Sequence, residues 1–256
     1  MDVVFGTSPL ALAVTSRLAA SGPTALASKA AQLGPWLWRR CDPATAEGVH
    51  PALKGADRAV VVMDDDDEVA GLFTLLKPSS VTRGVLVFGP NTAAPKGLER
   101  LGNWSTVRIG ATWGPQEPLV AAWAARIARG GGVWVPDLGE LAIVSTLDAA
   151  NAVAAALEVS GASWTLIGDD VVRLSDLATA IGEGLGVPAR IWRAPLGLAA
   201  WRAGVPATAI RRWAPRTPSK PQRYTPGWTP PSLARRAAWL GDPAKFLQDA
   251  GKKKRG

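Results

Sequence analysis

Short segments that are apolar along their whole length recur through the first half of the chain. The clearest are 3–5, 60–63 and 85–88; 106–109, which contains Thr106 and Arg108, is a further predicted strand, and stretches suited to helices lie between most of these segments. Strands without an alternating polar side are typical of sheets buried on both faces. Such strands alternating with helices indicate a parallel sheet covered by helices on both sides. The pattern therefore predicts an α/β fold, a Rossmann-like doubly wound parallel sheet.

Local signals place the first elements. The first strand ends at Gly6, and Ser8 and Pro9 suit the N-cap and first position of the helix that follows. We predict a Rossmann-like NAD(P)-binding-type domain over residues 1–189, including a small C-terminal lobe, and an irregular basic extension over 190–256. Helices are predicted near 10–20, 47–54, 69–76, 119–129, 146–159 and 174–185, and short strands near 133 and 164.

Composition excludes several kinds of site and fold. The chain has 256 residues, enough to bury a full core, but one Cys and one His. A disulfide framework, a Cys/His zinc site and a Cys-x-x-Cys pair are therefore excluded, and no metal site is predicted. The start has no basic leader, and no run reaches the roughly 18 apolar residues of a membrane span. These features predict a cytoplasmic protein without a transmembrane segment.

Charge is divided unevenly along the chain. Residues 1–189 carry 14 Lys and Arg against 19 Asp and Glu, a net charge of −5, whereas residues 190–256 carry 15 against 2, a net charge of +13. A basic end on a mildly acidic body favours contact with an anionic partner: nucleic acid, phospholipid head groups or an acidic protein surface. A solubilising surface is the alternative.

Three ordered blocks carry a resemblance to a known family. The first block is 107–115, which contains an arginine, an aromatic residue and a Gly-Pro pair. The second block is 133–139 together with 144–150, and the third is 164–168 together with 174–177. In this order they resemble the extended short-chain dehydrogenase/reductase family, the NAD-dependent epimerase/dehydratase group, over roughly residues 2–195. The resemblance implies a Rossmann fold, an NAD(P) cofactor, and Arg108 and Trp113 on the substrate side.

The dinucleotide-binding turn departs from the family pattern. Aligning Gly6 with its first glycine puts Pro9 at the second and Leu12 at the third. Pro9 has no N–H for a phosphate oxygen, and its ring would stand where bare backbone is needed. Any NAD(P) binding is therefore expected to be vestigial. The residues that the resemblance assigns to the cofactor are Gly6, Thr7, Ser8, Leu10, Lys29 and Asp42.

Two charged features lie beside this turn. Lys29 follows the second strand and could meet an adenosine 2′-phosphate, which favours NADP over NAD if a cofactor binds; Asp42 is placed near the adenine by the resemblance. The run 64–67, four consecutive aspartates, follows a central strand, where it would disfavour a pyrophosphate or hold Mg²⁺ or Ca²⁺. A helix-capping acidic loop is the simpler interpretation.

The family's proton-transfer residues are missing. Its members use Tyr-x-x-x-Lys, in which the ammonium lowers the tyrosine pKa, together with a Ser or Thr at a strand end. The single tyrosine, Tyr224, has no lysine four residues later, and Gly89 and Pro90 occupy the position of the serine. No catalytic residue is assigned. Asp148 and Asp176, at predicted helix starts, are interpreted as capping or dipole residues.

The last quarter alternates tryptophans with arginines. Indoles beside guanidinium groups suit cation–π packing, base stacking or a bilayer interface, or they attach proline-rich segments to the body of the protein. The residues predicted to contact an anionic partner are Arg211, Arg212, Arg216, Lys220 and Arg223.

Three functions follow as hypotheses. The first is a non-catalytic, SDR-like protein acting as a structural, regulatory or assembly subunit with a protein partner. The second is a divergent NAD(P)-dependent reductase or epimerase. The third is a nucleic-acid or anionic-membrane binding module formed by the basic C-terminus.

Overall fold

The computed structural model of the protein describes residues 1–42, 45, 47–63, 81–89, 103–161, 163–166, 170–207 and 210. The strands are β1 (Asp2–Phe5), β2 (Thr24–Ser28), β3 (Leu37–Arg40), β4 (Arg58–Val62), β5 (Arg83–Phe88), β6 (Trp104–Ile109), β7 (Ala111–Trp113), β8 (Val133–Val135), β9 (Leu141–Ser145), β10 (Ser163–Leu166), β11 (Asp170–Val172) and β12 (Ile191–Arg193). The helices are α1 (Pro9–Ala19), α2 (Val49–Leu53), α3 (Pro118–Ile127), α4 (Thr146–Leu157), α5 (Leu174–Gly184) and α6 (Leu196–Ala203).

The predicted parallel sheet is confirmed. It has the strand order β10-β6-β5-β4-β1-β2-β3, and every neighbouring pair is parallel. Its central strands consist of the apolar segments identified in the sequence; Val3, Val4, Val60 and Val85 are each fully buried. Because both sides of these strands are buried, no polar alternation is possible along them.

Helix starts follow the predicted local chemistry. The Oγ of Ser8 accepts the Ala11 N–H at 3.1 Å and caps α1, with Pro9 at the first helical position. Asp176 caps α5 by accepting the backbone N–H of Arg173 at 2.9 Å, as expected of a capping residue. Asp148 lies buried in the first turn of α4.

The chain divides into two compact units. The first contains the seven-stranded sheet with α1, α2 and α4. Within it α1 packs against α4, and the Arg17 Nε donates to Asn151 Oδ1 across that contact at 2.9 Å. At the amino edge of the sheet, Arg58 on β4 donates to both carboxylate oxygens of Asp2 on β1, each at 2.7 Å, and to Glu158 after α4 at 2.5 Å.

The second unit contains α3, α5, α6 and two small sheets, β11-β9-β7 and β12-β8. Its core includes Trp113, Trp123 and Ile127, all almost fully buried. The segment after residue 189, predicted to be irregular, begins with regular structure: β12 pairs with β8, and α6 buries Ala199 and Ala200 in this core. Three- and eight-residue elements bounded by Pro and Gly are too short for a visible period.

The described helices include none with the length and apolar content needed to cross a lipid bilayer.

Candidate functional site

The carboxyl edge of the parallel sheet is the candidate site. All seven strands run in the same direction, so the residues that follow β1, β2, β4 and β5 emerge at one edge. The chain leaves β1 toward β2 and β3 on one side, whereas β4, β5 and β6 extend the sheet on the other. Ligands of open α/β sheets bind at this reversal point, outside the carboxyl ends of the strands.

Gly6 forms the tight turn after β1. Its φ is +138°, and its N–H donates to the Ala27 carbonyl at 3.3 Å. A Cβ at this position would lie 3.1 Å from the carbonyl oxygen of Val62 and 3.0 Å from the Ala11 Cβ. Only glycine fits here without displacement, because both the φ and the space disfavour a side chain. Gly6 therefore forms a tight bend directly after β1, which is the role of the first glycine in a dinucleotide-binding turn.

The N-terminus of α1 presents backbone donors next to Gly6. Ala11 N–H is used by the Ser8 cap and Leu12 N–H by the Ser8 carbonyl. Among the described residues, the N–H groups of Thr7, Ser8 and Leu10 have no acceptor. Donors of this kind at the positive end of a helix dipole are typical of anion sites.

Pro9 changes the anion site without removing it. It occupies the first position of α1, where its fixed φ suits the helix and its missing N–H takes one donor from the first turn. The turn therefore offers one backbone N–H fewer than the three-glycine pattern. Gly6 and the N–H groups on either side of Pro9 are still present.

Two of the predicted adenosine-side residues form an ion pair. Lys29 directly follows β2, and its Nζ lies 3.0 Å from the Oδ2 of Asp42, which follows β3. The Lys29 side chain is 78% exposed and that of Asp42 is 18% exposed. The backbone N–H of Asp42 donates to the Glu47 carbonyl at 2.8 Å. A 2′-phosphate at Lys29 would therefore compete with the Asp42 carboxylate.

Trp38 is a residue of this region that the sequence did not single out. Its Nε1 donates to the Ser28 Oγ at 3.2 Å, and Ser28 in turn donates to the Ala30 carbonyl at 2.8 Å. The indole is nevertheless 42% exposed, beside Leu37, which is 60% exposed. Its position on the edge strand β3 was the only available signal.

Cys41 offers no reactive thiol to the site. It is buried at the end of β3, and burial, followed by the neighbouring Asp42 carboxylate, raises the pKa of its thiol to about 12. The thiol stays protonated at neutral pH, and a protonated thiol is a poor nucleophile and metal ligand.

The substrate-side residues predicted from the resemblance differ in their surroundings. Arg108 lies on β6 in register with Phe88 on β5, with its Cζ 4.9 Å from the centre of the Phe88 ring. Trp113 is fully buried in the core of the second unit, which favours a packing role over substrate contact. Gly89 follows β5 where the family has a hydroxyl residue.

Several predicted residues lie outside the described part of the chain. They are the aspartates at 64–67, Tyr224, and the basic residues Arg211, Arg212, Arg216, Lys220 and Arg223. Within the described part no cluster of three or more His, Cys, Asp or Glu side chains could hold a metal ion.

No protein-family model matches the sequence, and no curated protein matches it either. Solved structures do match the fold. Bordetella bronchiseptica WbmH, solved with NAD⁺, is 15% identical with a TM-score of 0.62 over 98% of this chain and 99% of its own. UDP-glucose 4-epimerase from Thermus thermophilus, solved with NAD, is 18% identical with a TM-score of 0.61 over 84% of this chain and 98% of its own.

A reductase is also among the matches. The NADPH-dependent quinone oxidoreductase QOR2 of Escherichia coli, solved with NADPH, is 18% identical with a TM-score of 0.59 over 97% of this chain and 94% of its own. At these identities the likeness concerns the fold alone. The chain has the fold of the extended short-chain dehydrogenases and NAD-dependent sugar epimerases, as the three sequence blocks implied.

Proposed function

We propose that the chain binds a nicotinamide dinucleotide at the carboxyl edge of its sheet and is a divergent NAD(P)-dependent oxidoreductase. The observation that carries this proposal is the combination of Gly6, which leaves the backbone bare, with the unused N–H groups of Thr7, Ser8 and Leu10 at the start of α1. The pyrophosphate would be held by these donors and by the helix dipole. The cofactor-bound neighbours support the same cofactor class.

Reduction is a better candidate than sugar epimerisation. Epimerisation at an alcohol carbon requires a base that removes the hydroxyl proton, and the family's Tyr-x-x-x-Lys pair is absent from this sequence. The bound cofactor supplies a hydride. A quinone acceptor needs no strong protein acid, because its reduced oxyanion is a phenolate, with a pKa near 10, that water protonates at neutral pH.

Arg108 is the residue that we assign to the developing negative charge. Its guanidinium stands above the Phe88 ring near the carboxyl ends of β5 and β6. A fixed cation beside the oxygen of the acceptor stabilises the anion formed when the hydride arrives.

Lys29 is proposed to favour NADPH over NADH. Its exposed ammonium follows β2, the position from which Rossmann proteins read the adenosine ribose. A 2′-phosphate would replace Asp42 as its partner, since a phosphate carries more charge than a carboxylate.

The cofactor proposal is tested by fluorescence titration of NADPH and NADH. Gly6→Ala should weaken binding at least tenfold, because the added Cβ would push against Val62 and Ala11. Gly22→Ala is the matched control, since a Cβ there meets nothing within 4 Å. Lys29→Gln should weaken NADPH binding and leave NADH binding unchanged. Absence of binding to the unmodified protein would refute the proposal.

The reaction is tested by following NADPH oxidation at 340 nm with a simple benzoquinone and with UDP-glucose. Quinone-dependent oxidation is expected, and Arg108→Gln should lower kcat more than it raises KM. The non-catalytic structural or regulatory role is the second candidate, favoured by the missing Tyr-x-x-x-Lys pair. Cofactor binding without turnover on either acceptor would favour that role.

A further inference from the structure

The second unit carries an exposed group of aromatic and apolar side chains around one arginine. The rings of Trp134 on β8 and Trp192 on β12 have centroids 5.3 Å apart and are tilted by 42°. The Arg202 Cζ lies 5.4 Å from the centre of the Trp134 ring and 4.8 Å from that of Trp201. Together with Leu198 on α6, these residues are called the tryptophan–arginine surface.

This surface exposes large apolar side chains that the core of the second unit does not bury. Trp201 is 70% exposed, Trp192 45% and Leu198 36%. In contrast, Trp113 and Trp123 in the same unit are almost fully buried. Leu198 and Trp201 stand three residues apart on α6, so they share a face of the helix, while Ala199 and Ala200 supply its buried face.

Packing contacts hold the side chains of the tryptophan–arginine surface in place. The Trp192 ring lies over Gly132, where an added Cβ would come within 2.2 Å of it. Arg202 is positioned between two indoles, and its carbonyl accepts from the Nη1 of Arg126 at 3.5 Å. The exposed side chains are therefore presented in a fixed arrangement.

The sequence stretches that carry this surface are basic. No Asp or Glu occurs in 118–136 or in 184–207, the stretches that include α3, β8, β12 and α6. The same stretches contain five arginines, of which those at 129, 190, 193 and 202 are exposed. After residue 204 the sequence adds 12 Lys and Arg against 2 Asp. A partner must therefore combine negative charge with an apolar region.

We propose that the tryptophan–arginine surface docks on the anionic face of a lipid bilayer. Indoles and Leu198 would enter the boundary between head groups and acyl chains, while the arginines meet phosphates. A single-stranded nucleic acid fits less well: Leu198 has no stacking face, the Trp134 and Trp192 rings lean on each other, and Arg202 covers one face of Trp201. Binding would be peripheral.

The test uses the full chain with phosphatidylcholine vesicles, with and without about one third phosphatidylglycerol. Flotation with the anionic vesicles and a blue shift of tryptophan emission are expected. Trp201→Ala should lower the partition coefficient at least tenfold, and Arg202→Gln about fivefold. Trp38→Ala is the matched control, because that indole is also exposed but lies in the first unit.

Other outcomes would overturn the proposal. If Trp201→Ala binds like the unmodified protein and moderate salt abolishes binding of both, the basic tail alone is responsible. If the protein ignores vesicles but binds a thymidine oligonucleotide in a Trp201-dependent manner, the surface serves nucleic acid. Binding to neither probe also contradicts a bilayer-docking role.

Discussion

Replacing Asp2 by Ala removes both acceptors that β1 offers to Arg58. The Asp2 carboxylate is 9% exposed and the Arg58 side chain 30% exposed, so the pair is largely shielded from water. Its two hydrogen bonds, each 2.7 Å long, hold the pKa of Arg58 above its ordinary value. The pair joins neighbouring strands at the amino edge of the sheet, where Asp2 and Arg58 are register partners.

The expected loss of stability follows from these contacts. A hydrogen bond to a charged group contributes about 1.5–3 kcal/mol, so two of them set an upper limit of about 6 kcal/mol. Arg58 keeps Glu158 as a partner and can be partly rehydrated, which lowers the cost of Asp2→Ala to about 2–3 kcal/mol. Glu158 is 63% exposed, so Glu158→Gln should cost less than about 1 kcal/mol.

Urea unfolding followed by tryptophan fluorescence measures both variants. With a typical m-value of about 2–3 kcal/mol per molar, Asp2→Ala should lower the midpoint by roughly 1 M. Adding Arg58→Ala to Asp2→Ala should cost less than Arg58→Ala alone, since the two side chains are coupled. If Asp2→Ala unfolds within about 0.5 kcal/mol of the unmodified chain, the shielded pair does not stabilise the sheet as argued.

Three further predictions concern single residues. Cys41 should resist thiol reagents until the protein unfolds. Because the pKa of its thiol is about 12 in the folded protein against an ordinary 9.0, the free energy of unfolding should decrease as the pH rises from 9.0 to about 12, and Cys41→Ala should flatten that decrease. Gly84→Ala should destabilise the fold by about 1–3 kcal/mol in thermal unfolding, because a Cβ there would lie 2.4 Å from the Trp104 ring. Ser8→Ala should cost about 1 kcal/mol in urea unfolding by removing the α1 cap; an unchanged midpoint would contradict that role.

Much of the first unit could be predicted from sequence because its signals are local. Continuous apolar strands, the Gly6 turn and the Ser8-Pro9 helix start each depend on a few adjacent residues. The second unit was harder, since its strands are three to five residues long and pair across distant segments, as β8 does with β12. Burial of Trp113 also depends on that assembly and leaves no local pattern.

The candidate site likewise combines features with local sequence signals and features that depend on which strands become neighbours. The donors around Pro9 follow from the helix start, which is a local signal that the sequence shows directly. The Lys29–Asp42 pair was not foreseen as a pair, because its members come from separate strands and meet through the register of β2 with β3. Arg108 above Phe88 likewise depends on which strands are neighbours.

The Asp2–Arg58–Glu158 contacts and the Gly6 turn lie at opposite ends of β1 and β4. The charge pair at the amino rim is largely shielded from water, whereas the Lys29–Asp42 pair at the carboxyl rim has a 78% exposed lysine, so the carboxyl rim is under less constraint to contribute to folding. A mutational library confined to the residues after β2 and β5 should therefore yield many folded variants with altered ligand preference. The same effort spent around Arg58 should mostly yield insoluble protein, which makes the Gly6 rim the practical place to engineer new specificity.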